Sequence, residues 1–242
     1  STLDWKNGIV DSNAANHILP GSVSAEGTLT GGATASYING PIVRTVANAN
    51  TGFVLFPVGK TTYSPISLSP ATTSVAAFKA EAFGSNAGTA NPAIISLSAN
   101  RRWETSLVSG AFTTTKVLLG DALIGSTNIP VQGASAAGIY TSSYGSTASF
   151  IAGTPNTIES VNAVNSSEFT GFFSFAQANV CNGTPNPGNT LTSTPTICLG
   201  ESVSLSLQND TAGSGVTYQW KSSTDGVSYS AIAGATTSTL TA

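Results

Sequence analysis

Few residues of this 242-residue chain are equipped for chemistry: one histidine, His17, two cysteines, Cys181 and Cys198, and 11 carboxylates. A Ser-His-Asp triad would need His17 beside an activated serine, but no GxSxG elbow lifts a serine out of the chain. Zinc takes three or four His or Cys ligands, and one His with two Cys does not supply a site. Glycoside hydrolysis needs two convergent carboxylates, for which Glu81, Glu104, Asp121, Glu159 and Glu168 are candidates, none of them inside a motif. Glu104 stands beside Arg101, Arg102 and Trp103 and reads more simply as an ion-pair or cation–π partner. Calcium loops of the D-x-[DN]-x-[DN]-G kind are missing, and Asn209-Asp210 and Thr224-Asp225-Gly226 have the chemistry of Asx turns. The chain therefore reads as non-catalytic, without a cofactor, calcium being the one metal left open. Tyr140, Tyr144 and Phe150 in GIYTSSYGSTASF could stack on sugar rings or on a partner; alternating aromatics more commonly fill a core and pair across strands.

The elements that must position these residues are strands. Lys, Arg, Glu, Gln and Met, the straight-chain helix formers, together number 18, whereas Ser reaches 34 and Thr 33. Charged residues are 8% of the chain, against roughly 25% in an average soluble domain. Apolar content of 40% still builds a core, so the prediction is an all-β chain with next to no helix. The eight Lys and Arg cannot form the clustered grip that a nucleic-acid backbone demands, nor a polybasic membrane contact. No apolar run approaches the roughly 18 residues of a spanning helix, so neither nucleic acid nor membrane insertion is expected.

Strand signals recur every 8 to 12 residues between Gly, Asn, Ser and Pro clusters, the rhythm of a sandwich. In FKAEAF (78–83), Lys79 and Glu81 share one face. In 101–107, Trp103, Thr105 and Leu107 lie opposite Arg102 and Glu104, which makes Trp103 a core candidate. Residues 1–50 differ, with short strand-like pieces among Gly and Asn. They are either the sandwich's first strands, the reading adopted, or the end of a β-solenoid stacked on upstream coils. With no initiator Met and no signal peptide, the chain reads as a stretch of something longer. A β-sandwich over 1–177 is expected to give way to a stiff Pro-, Gly- and Thr-rich linker at 178–195, carrying Pro185, Pro187 and Pro195. Residues 196–242 then form an immunoglobulin-like module truncated before strands F and G. Its strand B holds Leu205 and Leu207, and its strand-C Trp220 is expected to anchor the core against them.

TICLGESVSLSLQNDTAGSGVTYQWKSSTDGVSYSAIAGATTSTLTA resembles the immunoglobulin-like repeats of large Bacteroidetes cell-surface adhesins. YINGPIVRTV, FVLFPVGKTTYSPISL, ANRRWE and FTGFFSFA are similar to a β-rich module of the same proteins. That family implies a secreted substrate of type IX secretion, displayed on the outer-membrane exterior, whose repeats act as stalks and contact modules. Its partners would be neighbouring domains of one long chain, surface glycans or other surface proteins. The resemblance also implies that Cys181 and Cys198 pair with cysteines in later strands rather than with each other. It further implies that Thr211, in Asp210-Thr211-Ala212, fits an O-glycosylation pattern of that phylum. Two functions stay open: a structural or adhesive surface module, and a carbohydrate-binding accessory of a secreted multidomain enzyme.

Overall fold

The computed structural model describes residues 2–4, 7–141, 148–178, 186–198, 200–210 and 217–241. The chain is all-β, and no helix occurs among the described residues. It divides into two units, Ser1–Ala178 and Asn179–Ala242.

The first unit is built around two facing sheets. The six-stranded sheet runs in the order 148–151, 157–160, 112–120, 66–72, 54–56, with 164–165 pairing beside 112–120. The eight-stranded sheet runs 89–90, 139–141, 128–133, 172–178, 102–109, 76–83, 42–46, with 94–97 also paired to 172–178. Alternation sends Phe78, Ala80 and Ala82 inward and leaves Lys79 and Glu81 half-exposed, as the period-two pattern of 78–83 predicts. Ile66, Leu68, Val117 and Leu119 of one sheet and Phe78, Trp103, Phe173 and Phe175 of the other belong to a single buried cluster. Rings step through this core, edge to face for Phe78–Phe112 at 5.3 Å and Phe112–Phe169 at 5.4 Å and tilted for Phe169–Phe173 at 5.7 Å between centroids. Trp103 is fully buried, as expected, and its indole N–H donates to the Ser64 carbonyl at 2.7 Å. Leu107 departs from the pattern and is exposed, because the Phe78–Leu107 pairing gives way to Ala77–Ser109 at an irregularity in the ladder.

Residues 1–50 are not simply the first strands of the sandwich, and here the adopted reading is corrected. Thr2–Asp4 pairs in parallel with Thr28–Thr30, Val10–Asp11 with Ile38–Asn39, and Ile18 bridges Ile42 in parallel. Ile38–Asn39 in turn stacks in parallel on Val58–Gly59. Partners lie about 20 to 28 positions apart, which is one coil of a solenoid. Only Ile42–Val46 passes into the eight-stranded sheet. Gly40 makes this stacking feasible: its φ is +135°, and a Cβ there would lie 2.2 Å from the Ser12 carbonyl oxygen.

The second unit holds two small antiparallel sheets, 190–192/204–207/239–241 and 221–222/230–231. The linker expected to fill 178–195 is thus corrected: Thr190–Thr192 is a strand, with Thr190 opposite Leu207 and Thr192 opposite Leu205. Pro187 and Pro195 flank that strand rather than interrupt it, so its amides remain free to pair. Trp220 does not become the fully buried anchor expected of it. It is half-buried, as are Leu205 and Leu207, and Ala235 is the one fully buried hydrophobic residue among those described in this unit. Sheets of two and three short strands offer too few inward positions to cover an indole. Trp220 is held by polar contacts instead, its Nε1–H donating to the Thr237 carbonyl at 2.8 Å and its backbone to Ala235 and Ile232 through a donor and an acceptor.

Among its described residues the first unit also buries one ion pair. Arg101 Nε donates to Asp121 Oδ2 at 2.6 Å, and the two side chains are 4% and 1% exposed. Removing one member leaves the other charge buried alone, at a cost of about 3–5 kcal/mol. Asp121→Ala and Arg101→Ala are each expected to lower unfolding free energy by that amount in denaturant titrations. Lys116→Ala, which breaks the half-exposed Lys116–Glu159 pair, should cost less than about 1 kcal/mol.

Candidate functional site

The five candidate carboxylates go to separate places. Asp121 is locked in the buried pair, where Ser64 Oγ donates to Oδ2 at 2.8 Å and the Leu123 amide to Oδ1 at 2.8 Å. Glu159 meets Lys116 at 3.4 Å, and Glu168 accepts from Asn165 Nδ2 at 3.4 Å. Only Glu81 and Glu104 come together, directly opposite each other on strands 76–83 and 102–109. Glu104 Oε1 is chelated by Arg102 through Nε at 2.9 Å and Nη2 at 2.6 Å. Glu104 is thus an ion-pair partner of Arg102, whose guanidinium sits 4.2 Å from the centre of the Phe83 ring rather than over Trp103. Partial burial, reinforced by Glu104, raises the Glu81 carboxyl above its usual range, while Lys60, Lys79 and Arg102 pull the other way. Both acids belong to the outward face of the sheet, with their charge answered by neighbouring cations.

The grooves lie elsewhere. One, about 390 Å³, runs along Thr105, Leu107, Phe112, Ser166, Phe169 and Thr170. Two others, of about 280 and 330 Å³, share Tyr63, Thr154 and Pro155. Their polar lining is hydroxyl and amide, and none of the candidate carboxylates, His17 or Cys198 lines any of them. Burial pushes the Tyr63 phenol up to about 12, so it stays neutral throughout the physiological range. Such grooves can offer apolar contact and neutral hydrogen bonds. They bring no acid and base to a common point. His17 is exposed in the turn before Ile18. Among the described residues, no group of three or more His, Cys, Asp or Glu could hold a metal ion.

The aromatic trio is not assembled into one surface. Tyr140 is wholly buried in a second cluster with Ile94, Ile129, Val131 and Ala176, so its reading as a ligand contact is corrected to a core role. Its ring lies against Gly88 and Gly133, where any Cβ would come within 2.2 and 2.6 Å of ring carbons. Those two glycines are the signal that sequence reading missed: they clear room for a ring. Phe150 is half-buried and packs on the main core instead. Tyr144, Thr211 and Cys181 lie outside the described residues, and so does any Cys181–Cys198 pairing; Cys198 is exposed.

The Tyr140 hydroxyl is buried without a hydrogen-bond partner among the described residues, and burial pushes its phenol up to about 12. An unsatisfied buried hydroxyl costs about 1–3 kcal/mol. Tyr140→Phe is therefore expected to raise unfolding free energy at pH 7 rather than lower it. Above pH 10 an unfolded tyrosine ionises before the folded one, so stability falls as pH rises through that range. The Tyr140→Phe variant should lose less stability than the parent between pH 9 and 11, measured by urea titration. The Glu81 carboxyl, also raised, behaves alike at lower pH: the unfolded chain ionises first, so stability falls as pH climbs past the usual carboxylate range. Glu81→Gln should gain melting temperature relative to the parent at pH 7, with the difference shrinking towards pH 3.5.

Residues 187–242 match a family described as Domain of unknown function (DUF8696), a match that starts just before the Thr190–Thr192 strand. No curated protein and no solved structure matches the chain.

Proposed function

We propose that this chain is a non-catalytic, structural or adhesive stretch of a secreted, surface-displayed multidomain adhesin or fibre. The observation that carries the reading is the separation of carboxylates from grooves. Acid–base hydrolysis needs two carboxyl groups converging on one substrate bond. Here Glu81 and Glu104 stand on an open sheet face with Glu104 chelated, and the grooves are lined by neutral groups. Modularity supports the same reading: two units share the chain, and the family match is confined to the second. The pairing of 190–192, 204–207 and 239–241 beside the 221–222/230–231 hairpin is compatible with an immunoglobulin-like repeat. The outer surface of a Bacteroidetes cell, reached by type IX secretion, is the address that the sequence resemblance supplies.

A carbohydrate-binding role is the second reading, favoured by the hydroxyl-lined groove that carries Phe169 and Phe112. The test couples two assays on purified protein. Panels of glycoside and ester substrates should show no turnover above background; turnover lost in Glu104→Gln or Glu81→Gln would overturn the non-catalytic reading. A glycan array separates the two binding roles. Saturable binding to one glycan class, weakened tenfold or more in Phe169→Ala, would favour the accessory reading. Deletion of the gene should reduce surface attachment, and unchanged attachment would remove the adhesive half.

A further inference from the structure

The outermost solenoid coil has one finished side and one open side. On the finished side Gly8, Val10 and Ser12 donate their amides to the carbonyls of Ala35, Tyr37 and Asn39 at 3.1, 3.0 and 3.2 Å. Backbone groups alternate in direction along a strand, so the amides of Ile9 and Asp11 point the other way. Among the described residues, nothing pairs there: Val10–Asp11 is an edge of its sheet and Thr2–Asp4 an edge of another. Side chains stack in columns across the rungs, and burial along one column stops abruptly. Ile38 and Val58 are 0% exposed, whereas Val10 above them is 37% exposed and its neighbour Ile9 53%. Beside that column, Asn39 Nδ2 donates to Asp11 Oδ1 at 2.7 Å, a polar ladder that ends at the same rung.

We propose that this open edge is covered in the intact protein by a further parallel coil, donated by the polypeptide that precedes Ser1. Direction selects the occupant. Among the described residues every strand pairing between coils is parallel and in register, with Leu3 opposite Leu29 and Val10 opposite Ile38. A second copy docking through a two-fold axis would bring the same strands together antiparallel and break both columns. The chain also runs from the open rung towards the sandwich, so polypeptide ahead of Thr2 emerges at the uncovered side. The expected coil spans about 20 to 28 residues, as the present ones do, and sets an aliphatic side chain over Val10 and an amide over Asp11. This inference stands on the coil geometry and does not depend on the adhesive reading above.

Amide exchange measured by NMR on the 1–242 chain and on the natural longer chain decides it. In the longer chain Ile9 and Asp11 should exchange at least about tenfold more slowly. Val10→Lys in the longer chain should restore fast exchange at 9–11 while leaving protection across Ile66–Thr72 unchanged, which separates lost stacking from lost folding. Equal exchange in the two chains overturns the proposal, as does protection that survives Val10→Lys. Protection of the 1–242 chain that grows with its concentration would assign the edge to a second copy and also overturn it. So would N-terminal sequencing that finds Ser1 as the first residue of the cell-derived protein.

Discussion

A guanidinium and a carboxylate withdrawn from water must each find nearly all their hydrogen bonds inside the protein, and Arg101 and Asp121 do so by drawing in four separate segments. Asp121 accepts from Arg101, from Ser64 and from the Leu123 amide. Arg101 donates onward to Thr62 Oγ1 at 2.8 Å, and its own carbonyl accepts from Ser174 Oγ at 2.8 Å. Ser64 returns the connection by offering its carbonyl to Trp103. One polar cluster thereby fixes the loop after the last solenoid rung, the entry to strand 102–109, the turn after strand 112–120 and the middle of strand 172–178. Both faces of the sandwich depend on this cluster for their relative placement, because hydrophobic contact alone is non-directional.

The same constraint explains why the solenoid can end where it does. The last parallel rung, Val58–Gly59, is followed at once by Thr62 and Ser64, which belong to the buried network. Backbone hydrogen bonds pass along the coils in parallel up to that point and then in antiparallel ladders through both sheets, apart from the parallel pair 89–90/139–141 at one edge of the larger sheet. Tyr63 sits between the two regimes, its ring 6.4 Å from that of Tyr37. Thr45, on the strand that leaves the coils, donates its hydroxyl to the Ser22 carbonyl, tying the 21–26 hairpin to the sheet.

Chemistry follows architecture here. Carboxylates that might have cooperated are either spent on structure, as Asp121 is, or spread over an outward face where cations offset them. Hydroxyls take over the grooves. A surface so low in charge does little long-range steering, and selectivity would rest on shape and short-range hydrogen bonds.

Composition by itself determined the all-β class, and period-two patterning the inward face of 78–83 and the burial of Trp103, because in a strand the side-chain direction is set residue by residue. Three things were not legible. Parallel coil stacking joins residues 20 or more positions apart and leaves no local period, so the role of residues 1–50 was decided only when Val10, Ile38 and Val58 came into one column. Asp121 read as one of five scattered candidate carboxylates and Arg101 as a neighbour of Glu104, and their pairing emerged only where the turn after 112–120 folds back on the start of strand 102–109. Tyr140 read as a possible ligand contact and Trp220 as a core anchor, yet the first is sealed between glycines and the second half-exposed in a small unit. Burial belongs to the neighbours a side chain acquires in three dimensions, and a sequence names its neighbours along the chain only.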